Sequence, residues 1–206
     1  MLYRFGHLLF SIYFKLFFRW QVYGRENIPE KGPFIVCSNH INWIDPVFIA
    51  CSFPSRIKIH FMAKEELFQK NFLVTFVLTR LGAFPVKRDT ADISAIKKSL
   101  QLLKEGQVLG LFPEGTRSKT GKLLKPMNGA ALIALRSGVP IVPVAILDPY
   151  RPWKKLRITI GEPFRLAVQP GQEKKTLKKE ILDKMSSNIM ESIKLLFPPG
   201  DRNAVI

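Results

Sequence analysis

The chain has 206 residues, two cysteines and three histidines, and its formal net charge is +16. That length fits one domain with a sizeable core, so neither a disulfide framework nor a structural metal is needed, and the histidines and carboxylates show no metal-site spacing. The charge favours anionic partners such as phosphorylated ligands, acidic proteins or anionic lipid. Every third of the chain carries a positive excess with no basic tail, and no zinc-finger or RNA-recognition signature accompanies it, so nucleic acid is not the expected partner.

Residues Leu2 to Trp20 are rich in Phe, Tyr, Leu and Ile. The uncharged run between Arg4 and Lys15 is too short for a spanning helix of ~20 residues. No small-residue cleavage site follows it, which argues against a signal peptide. The pattern predicts an interfacial helix over 1–20, with aromatic rings at headgroup depth and basic residues meeting lipid phosphates. An aromatic-rich core helix is the alternative. The remainder, 21–206, is expected to fold as one unit.

Gln21 to Tyr23 and Phe34 to Ser38 read as short strands separated by a turn through Asn27, Pro29 and Gly32. Asp45-Pro46 reads as a helix start, with Asp as N-cap and Pro at the first helical position. Ile57 to Met62 reads as a strand, Glu65 to Arg80 as largely helical, and Phe84 to Val86 as a strand. Asp92 to Lys104 reads as an amphipathic helix carrying Ile93, Ile96, Leu100 and Leu103 on one face. Val108 to Phe112, Ile141 to Leu147 and Arg157 to Ile160 add strands. Met127 to Ser137 and Lys174 to Leu196 add helices. Strands alternating with helices predict an α/β domain with helices flanking a central mixed sheet.

The pair His40 and Asp45 carries the most chemical information. They stand in Ser38-Asn39-His40-Ile41-Asn42-Trp43-Ile44-Asp45-Pro46, just after a strand. Residues five apart do not share a helix face. With the helix starting at Asp45, a preceding loop can fold the His40 imidazole back onto that carboxylate. An imidazole held in one tautomer by a carboxylate is a general base for an alcohol. Taken alone, the pair also fits a capping aspartate beside a packed histidine. Phe112-Pro113-Glu114-Gly115-Thr116-Arg117-Ser118 follows an apolar strand, where open α/β sheets place ligands. Gly115 permits close backbone approach and Arg117 can grip a phosphate. Gly82 to Arg88 places another arginine just past a short strand. Val139-Pro140-Ile141-Val142-Pro143-Val144 suits the lining of an apolar slot.

Together these segments resemble the four ordered blocks of the glycerolipid acyltransferase family that includes the 1-acylglycerol-3-phosphate acyltransferases. The resemblance runs from Val36 to Ile146. His40 and Asp45 match the family's His-four-residues-Asp motif, and Phe112 to Ser118 matches its Glu-Gly-Thr-Arg block. Pro85 departs from the second block, where an apolar residue is commoner. The resemblance implies that His40 is the general base and Asp45 its orienting partner. It further implies that Lys64, Arg88, Glu114, Gly115 and Arg117 hold the acceptor's glycerol-phosphate end. No cofactor is expected. The implied donor is acyl-CoA or acyl carrier protein, and the implied acceptor a lysophospholipid such as 1-acylglycerol-3-phosphate. Another lysolipid, or glycerol-3-phosphate, is the competing acceptor, and a non-catalytic lipid-binding protein is the competing class. The basic surface then suits an anionic membrane, with peripheral or monotopic association at its cytoplasmic face.

Overall fold

The computed structural model describes residues 1–69, 71–87, 92–167 and 178–201. Seven strands form one sheet in the order β1-β7-β6-β2-β5-β3-β4. Its centre is β2 (Phe34–Ser38), flanked by β5 (Val108–Leu111) and β6 (Ile141–Ile146). Every residue of these three strands is buried, the continuous apolar signature of parallel strands covered on both faces. Beyond β5 lie β3 (Ile59–Lys64) and β4 (Ala83–Val86), both parallel to the centre. On the other side β7 (Lys155–Ile160) runs antiparallel to β6, and β1 (Arg19–Tyr23) pairs parallel with β7. The sheet is therefore mixed and flanked by helices, as the sequence predicts.

Alternating side chains of β2 divide the interior into two cores. Phe34 and Val36 pack with Phe14 of α1 (Leu2–Phe17) and Phe48 of α2 (Asp45–Ser52). Ile35 and Cys37 pack with α5 (Ile93–Lys104), α6 (Gly129–Ser137) and α7 (Lys179–Lys194). The segment predicted as one helix from Glu65 divides into α3 (Glu66–Gln69) and α4 (Phe72–Leu81). Asn71 makes the second start, because its side chain accepts the Leu73 N–H.

Two details correct the sequence reading. The buried face of α5 is Ala95, Ser99, Leu102 and Leu103, whereas Ile93 is 64% exposed. The capping residue is Asp92, which turns the first helical residue outward while its carboxylate accepts the Ser94 and Ala95 N–H groups. The second detail concerns Asp45, which caps nothing: α2 has no side-chain cap, and this carboxylate points back into the loop before it. The start predicted for the last helix, Lys174, lies outside the described residues.

Helix α1 buries only Phe14, and α4 buries nothing. The two helices touch. Phe5, Leu8, Leu9 and Leu16 of α1 are exposed, as are Phe72, Leu73, Val74 and Phe76 of α4. Both helices thus present an apolar outer surface that nothing in the chain covers among the described residues. No described helix is long and apolar enough to cross a membrane.

Candidate active site

The loop leaving β2 is organised around one carboxylate. Asp45 is fully buried, and its Oδ2 lies 2.7 Å from His40 Nδ1. The same oxygen accepts the N–H groups of Ile41 at 2.6 Å and Asn42 at 2.8 Å. Oδ1 accepts the hydroxyl of Tyr150 at 2.8 Å. Four donors therefore converge on a carboxylate removed from water, which is how a buried charge is tolerated. With Nδ1–H given to Asp45, Nε2 of His40 is left as the basic nitrogen. The imidazole stacks on Phe112 with centroids 3.9 Å apart and 15° between planes. Asn39 fixes the root of the loop: its side chain accepts from Ile146 N–H and donates to Ile146 C=O at the end of β6.

The loop leaving β5 is laced onto the first one. Both oxygens of Glu114 are engaged by backbone: Oε1 accepts the His40 N–H and Oε2 the Leu124 N–H, each at 3.0 Å. Ser118 N–H donates in turn to the His40 carbonyl at 2.7 Å. Burial pushes Glu114 up to about 7, against the downward pull of those two N–H groups and with a further upward push from Asp45. Gly115 adopts φ +70°, and a Cβ there would lie 2.3 Å from Met127 Sδ. That left-handed φ favours glycine, and a larger residue would be strained and would have to displace the Met127 side chain.

Between β3, β5, α5 and α6 opens a cavity of about 360 Å³, with His40, Phe112 and Gly115 in its lining. The rest of its wall is mostly apolar, including Met62, Ile96 and Ile133, with Lys87 and Asp92 as charged members. The imidazole thus borders a largely apolar slot at the carboxyl ends of parallel strands.

Of the residues singled out from sequence, the structure brings His40, Asp45, Glu114 and Gly115 together. Lys64 lies exposed at the end of β3, and Arg117 is exposed on the loop after β5. Arg88 lies outside the described residues; its neighbour Lys87 reaches the cavity wall. Three contributors went unread: Tyr150, Phe112 as the stacking partner, and Asn39 as the clamp. Phe112 could have been suspected from its place just before Pro-Glu-Gly. Tyr150 is 105 residues from its partner Asp45, and no local pattern marks it.

The site is thus an imidazole held by a buried carboxylate at the edge of a largely apolar slot in an α/β protein. Residues 19–147 match the Acyltransferase family, and the chain belongs to it. It is 35% identical over 171 residues to the 1-acyl-sn-glycerol-3-phosphate acyltransferase of Bacillus subtilis (strain 168), covering 79% of this chain and 84% of that one. The enzyme of the same name from Borreliella burgdorferi is 35% identical over 129 residues, which span 62% of this chain and half of that protein. Among solved structures, the fold is similar to the 1-acyl-sn-glycerophosphate acyltransferase PlsC from Thermotoga maritima. The TM-score is 0.68 at 29% identity, over 95% of this chain and 76% of that one.

Proposed function

We propose that this chain transfers a fatty acyl group from a thioester, of coenzyme A or acyl carrier protein, to the free hydroxyl of 1-acylglycerol-3-phosphate. The observation that carries this reading is the buried Asp45–His40 pair beside a mostly apolar cavity. The names of the similar enzymes point to the same acceptor. His40 Nε2 takes the hydroxyl proton as the acceptor oxygen attacks the thioester carbonyl carbon. The tetrahedral intermediate expels the thiolate, which recovers the proton from the imidazolium. An ester and a free thiol leave, and no acyl-enzyme forms. Asp45 keeps the Nδ1–H tautomer and faces the imidazolium charge. Glu114 acts on the peptide that carries His40, since both its oxygens are spoken for by backbone. Arg117 and Lys64, both exposed, are free to meet the acceptor phosphate, and Arg88 joins them on the sequence resemblance.

The exposed apolar residues of α1 and α4 support a membrane surface as the location of this chemistry. Deleting residues 1–20 is a poor test, because it removes Phe14 and Phe18 from the core. Triple replacement of Phe5, Leu9 and Phe72 by Ser is expected to abolish flotation with anionic vesicles and to leave the melting temperature nearly unchanged. The reaction itself is tested by thiol release from purified protein in mixed micelles, with 1-acylglycerol-3-phosphate, other lysolipids and glycerol-3-phosphate as acceptors and both thioesters as donors. His40→Ala should lower kcat by about 10²–10⁴-fold. A folded His40→Ala protein with normal turnover removes the general base from this reading.

A further inference from the structure

We propose that Tyr150 is a positioning residue for the catalytic pair, a phenol that holds the far oxygen of Asp45 and ties the pair to the end of helix α1. The inference rests on the reading of His40 as the base and adds a member that neither the family motif nor the sequence spacing contains.

The geometry is specific. Asp45 Oδ2 already accepts from His40 Nδ1 and from two backbone N–H groups, so its orientation about the Cβ–Cγ bond depends on what holds Oδ1. That holder is the Tyr150 hydroxyl, at 2.8 Å. Burial pushes the phenol well above its ordinary range, and the charge of Asp45 adds to that push, so the hydroxyl stays a donor throughout the working pH range. The ring itself is held edge-on by Phe18 at 6.2 Å and Phe48 at 5.6 Å.

The segment carrying Tyr150 is pinned at both ends. On one side Arg157 grips both oxygens of Asp148, with each contact at 2.8 Å. On the other, Trp153 N–H donates to the Phe17 carbonyl at 2.7 Å, and Arg19 N–H donates to the Lys154 carbonyl at 2.9 Å. Trp153 accepts a left-handed φ of 65°, rare for a tryptophan, and its ring packs on Phe17 at 5.6 Å. A loop secured in this way is suited to presenting one hydroxyl at a fixed point. It runs from the last turn of the outward-facing apolar helix to the carboxylate that orients the base.

Tyr150→Phe keeps the ring and removes only the donor. The groups facing His40 and Asp45 that titrate are Glu114 from the loop after β5 and Tyr150 itself, with Lys87 and Asp92 on the cavity wall. In Tyr150→Phe more of the Asp45 charge is left for the imidazolium. The acidic limb of the pH–kcat/KM profile then moves to higher pH. The kcat falls about tenfold, the scale of one hydrogen bond to a charged group, while KM for the acceptor stays put. The downfield Nδ1–H proton resonance of His40 shifts. Incorporating 3-fluorotyrosine at 150 strengthens the donor without altering the fold and should move the limb the opposite way, so it decides the matter if Tyr150→Phe does not fold. A folded Tyr150→Phe protein with wild-type kcat, limb and resonance overturns the proposal, as does one that differs only in melting temperature. Turnover surviving in His40→Ala would instead remove the base on which the proposal stands, and the two failures are read in different proteins.

Discussion

The loop after β2 and the loop after β5 leave neighbouring parallel strands and meet beside one cavity, yet each is ordered by a buried carboxylate used in a different way. In the first, Asp45 gathers His40 and the N–H groups of Ile41 and Asn42, all within five residues of itself. In the second, Glu114 reaches back 74 residues to His40 and forward 10 to Leu124, so it helps to fasten two loops that the Ser118 N–H to His40 carbonyl bond also joins. On the mechanism proposed above, Asp45 shapes a proton acceptor, whereas Glu114 sets where that acceptor stands. The two carboxylates also differ in charge balance. Four donors serve Asp45, while Glu114 has two and titrates near neutrality. The comparison separates making a base from aligning it, and mutations in the two loops should fail in different ways.

The largest effect is expected from Asp45→Asn. The amide cannot accept from His40, Ile41, Asn42 and Tyr150 together, and its NH₂ opposes a donor whichever way it turns. The imidazole then loses its fixed tautomer, and kcat should fall by about 10³–10⁴-fold. A urea melt should report a loss of a few kcal/mol, roughly the cost of unpairing a buried hydrogen-bonded group. Retained turnover in folded protein would break the comparison at its first term. Next comes Glu114→Gln, which places an amide NH₂ against a backbone N–H and loosens the His40 peptide. Misplacing a base by about 1 Å can cost up to ~10²-fold in kcat. The pH dependence sharpens the contrast. The folded protein holds Glu114 up at about 7, so between its ordinary range near 4.5 and 7 the folded state binds the proton and the unfolded chain does not. Stability from this group is therefore greatest at the acid end and is lost as pH rises through about 7. Thermal melts of wild type should decline relative to Glu114→Gln across that window. Activity should move oppositely in wild type, falling below about 7 as protonation releases one N–H group.

The same division explains what could be read in the sequence. The buried strands β2, β5 and β6 are continuous apolar runs, and the His40–Asp45 spacing is local, so both were legible. The role of Asp45 in the fold was not. Asp-Pro signals a helix cap, but a nearby imidazole and two loop N–H groups compete for that carboxylate and win. Glu114 was placed in the site by resemblance to the family motif, on the acceptor, because a sequence cannot display backbone N–H groups as partners. Tyr150 was illegible because its contact depends on the order of strands, with β6 beside β2, which the chain does not state. The reading of α5 failed at Ile93 because a capping aspartate turned the first residue outward. The apolar exterior of α4 was missed because an apolar helix and a core helix share one composition; only its position beside α1 shows which it is.

A smaller effect is expected at Arg117, which is exposed on the second loop and takes no part in its framework among the described bonds. Arg117→Lys keeps the charge and loses the planar fork. If Arg117 grips the acceptor phosphate, KM for 1-acylglycerol-3-phosphate should rise about tenfold with kcat and melting temperature nearly unchanged, the signature of lost uniform binding. A lowered kcat with unaltered KM would move Arg117 from binding to alignment and blur the line between the two loops.

The smallest effect on turnover belongs to Cys37, the residue of β2 three positions before His40. A thiol so near a base invites an acyl-enzyme route, in which Cys37 attacks the thioester and the acceptor is acylated second. The structure argues against it on two counts. The side chain is fully buried with Ile35, Leu109 and Ile141 on the far core, and it is not in the wall of the cavity that His40 borders. Burial alone pushes the thiol up to about 12, so the nucleophilic thiolate is nearly absent at neutral pH. Cys37→Ser should therefore keep wild-type kcat and KM per folded molecule. It should also lose about 1–3 kcal/mol of stability, because a hydroxyl replaces a sulfur in an apolar site. The native thiol should resist maleimide until the protein is unfolded. Loss of turnover in folded Cys37→Ser, with trapped acyl-protein in the wild type, would transfer the chemistry from the loop to the strand before it and leave His40 to activate a thiol instead of an alcohol.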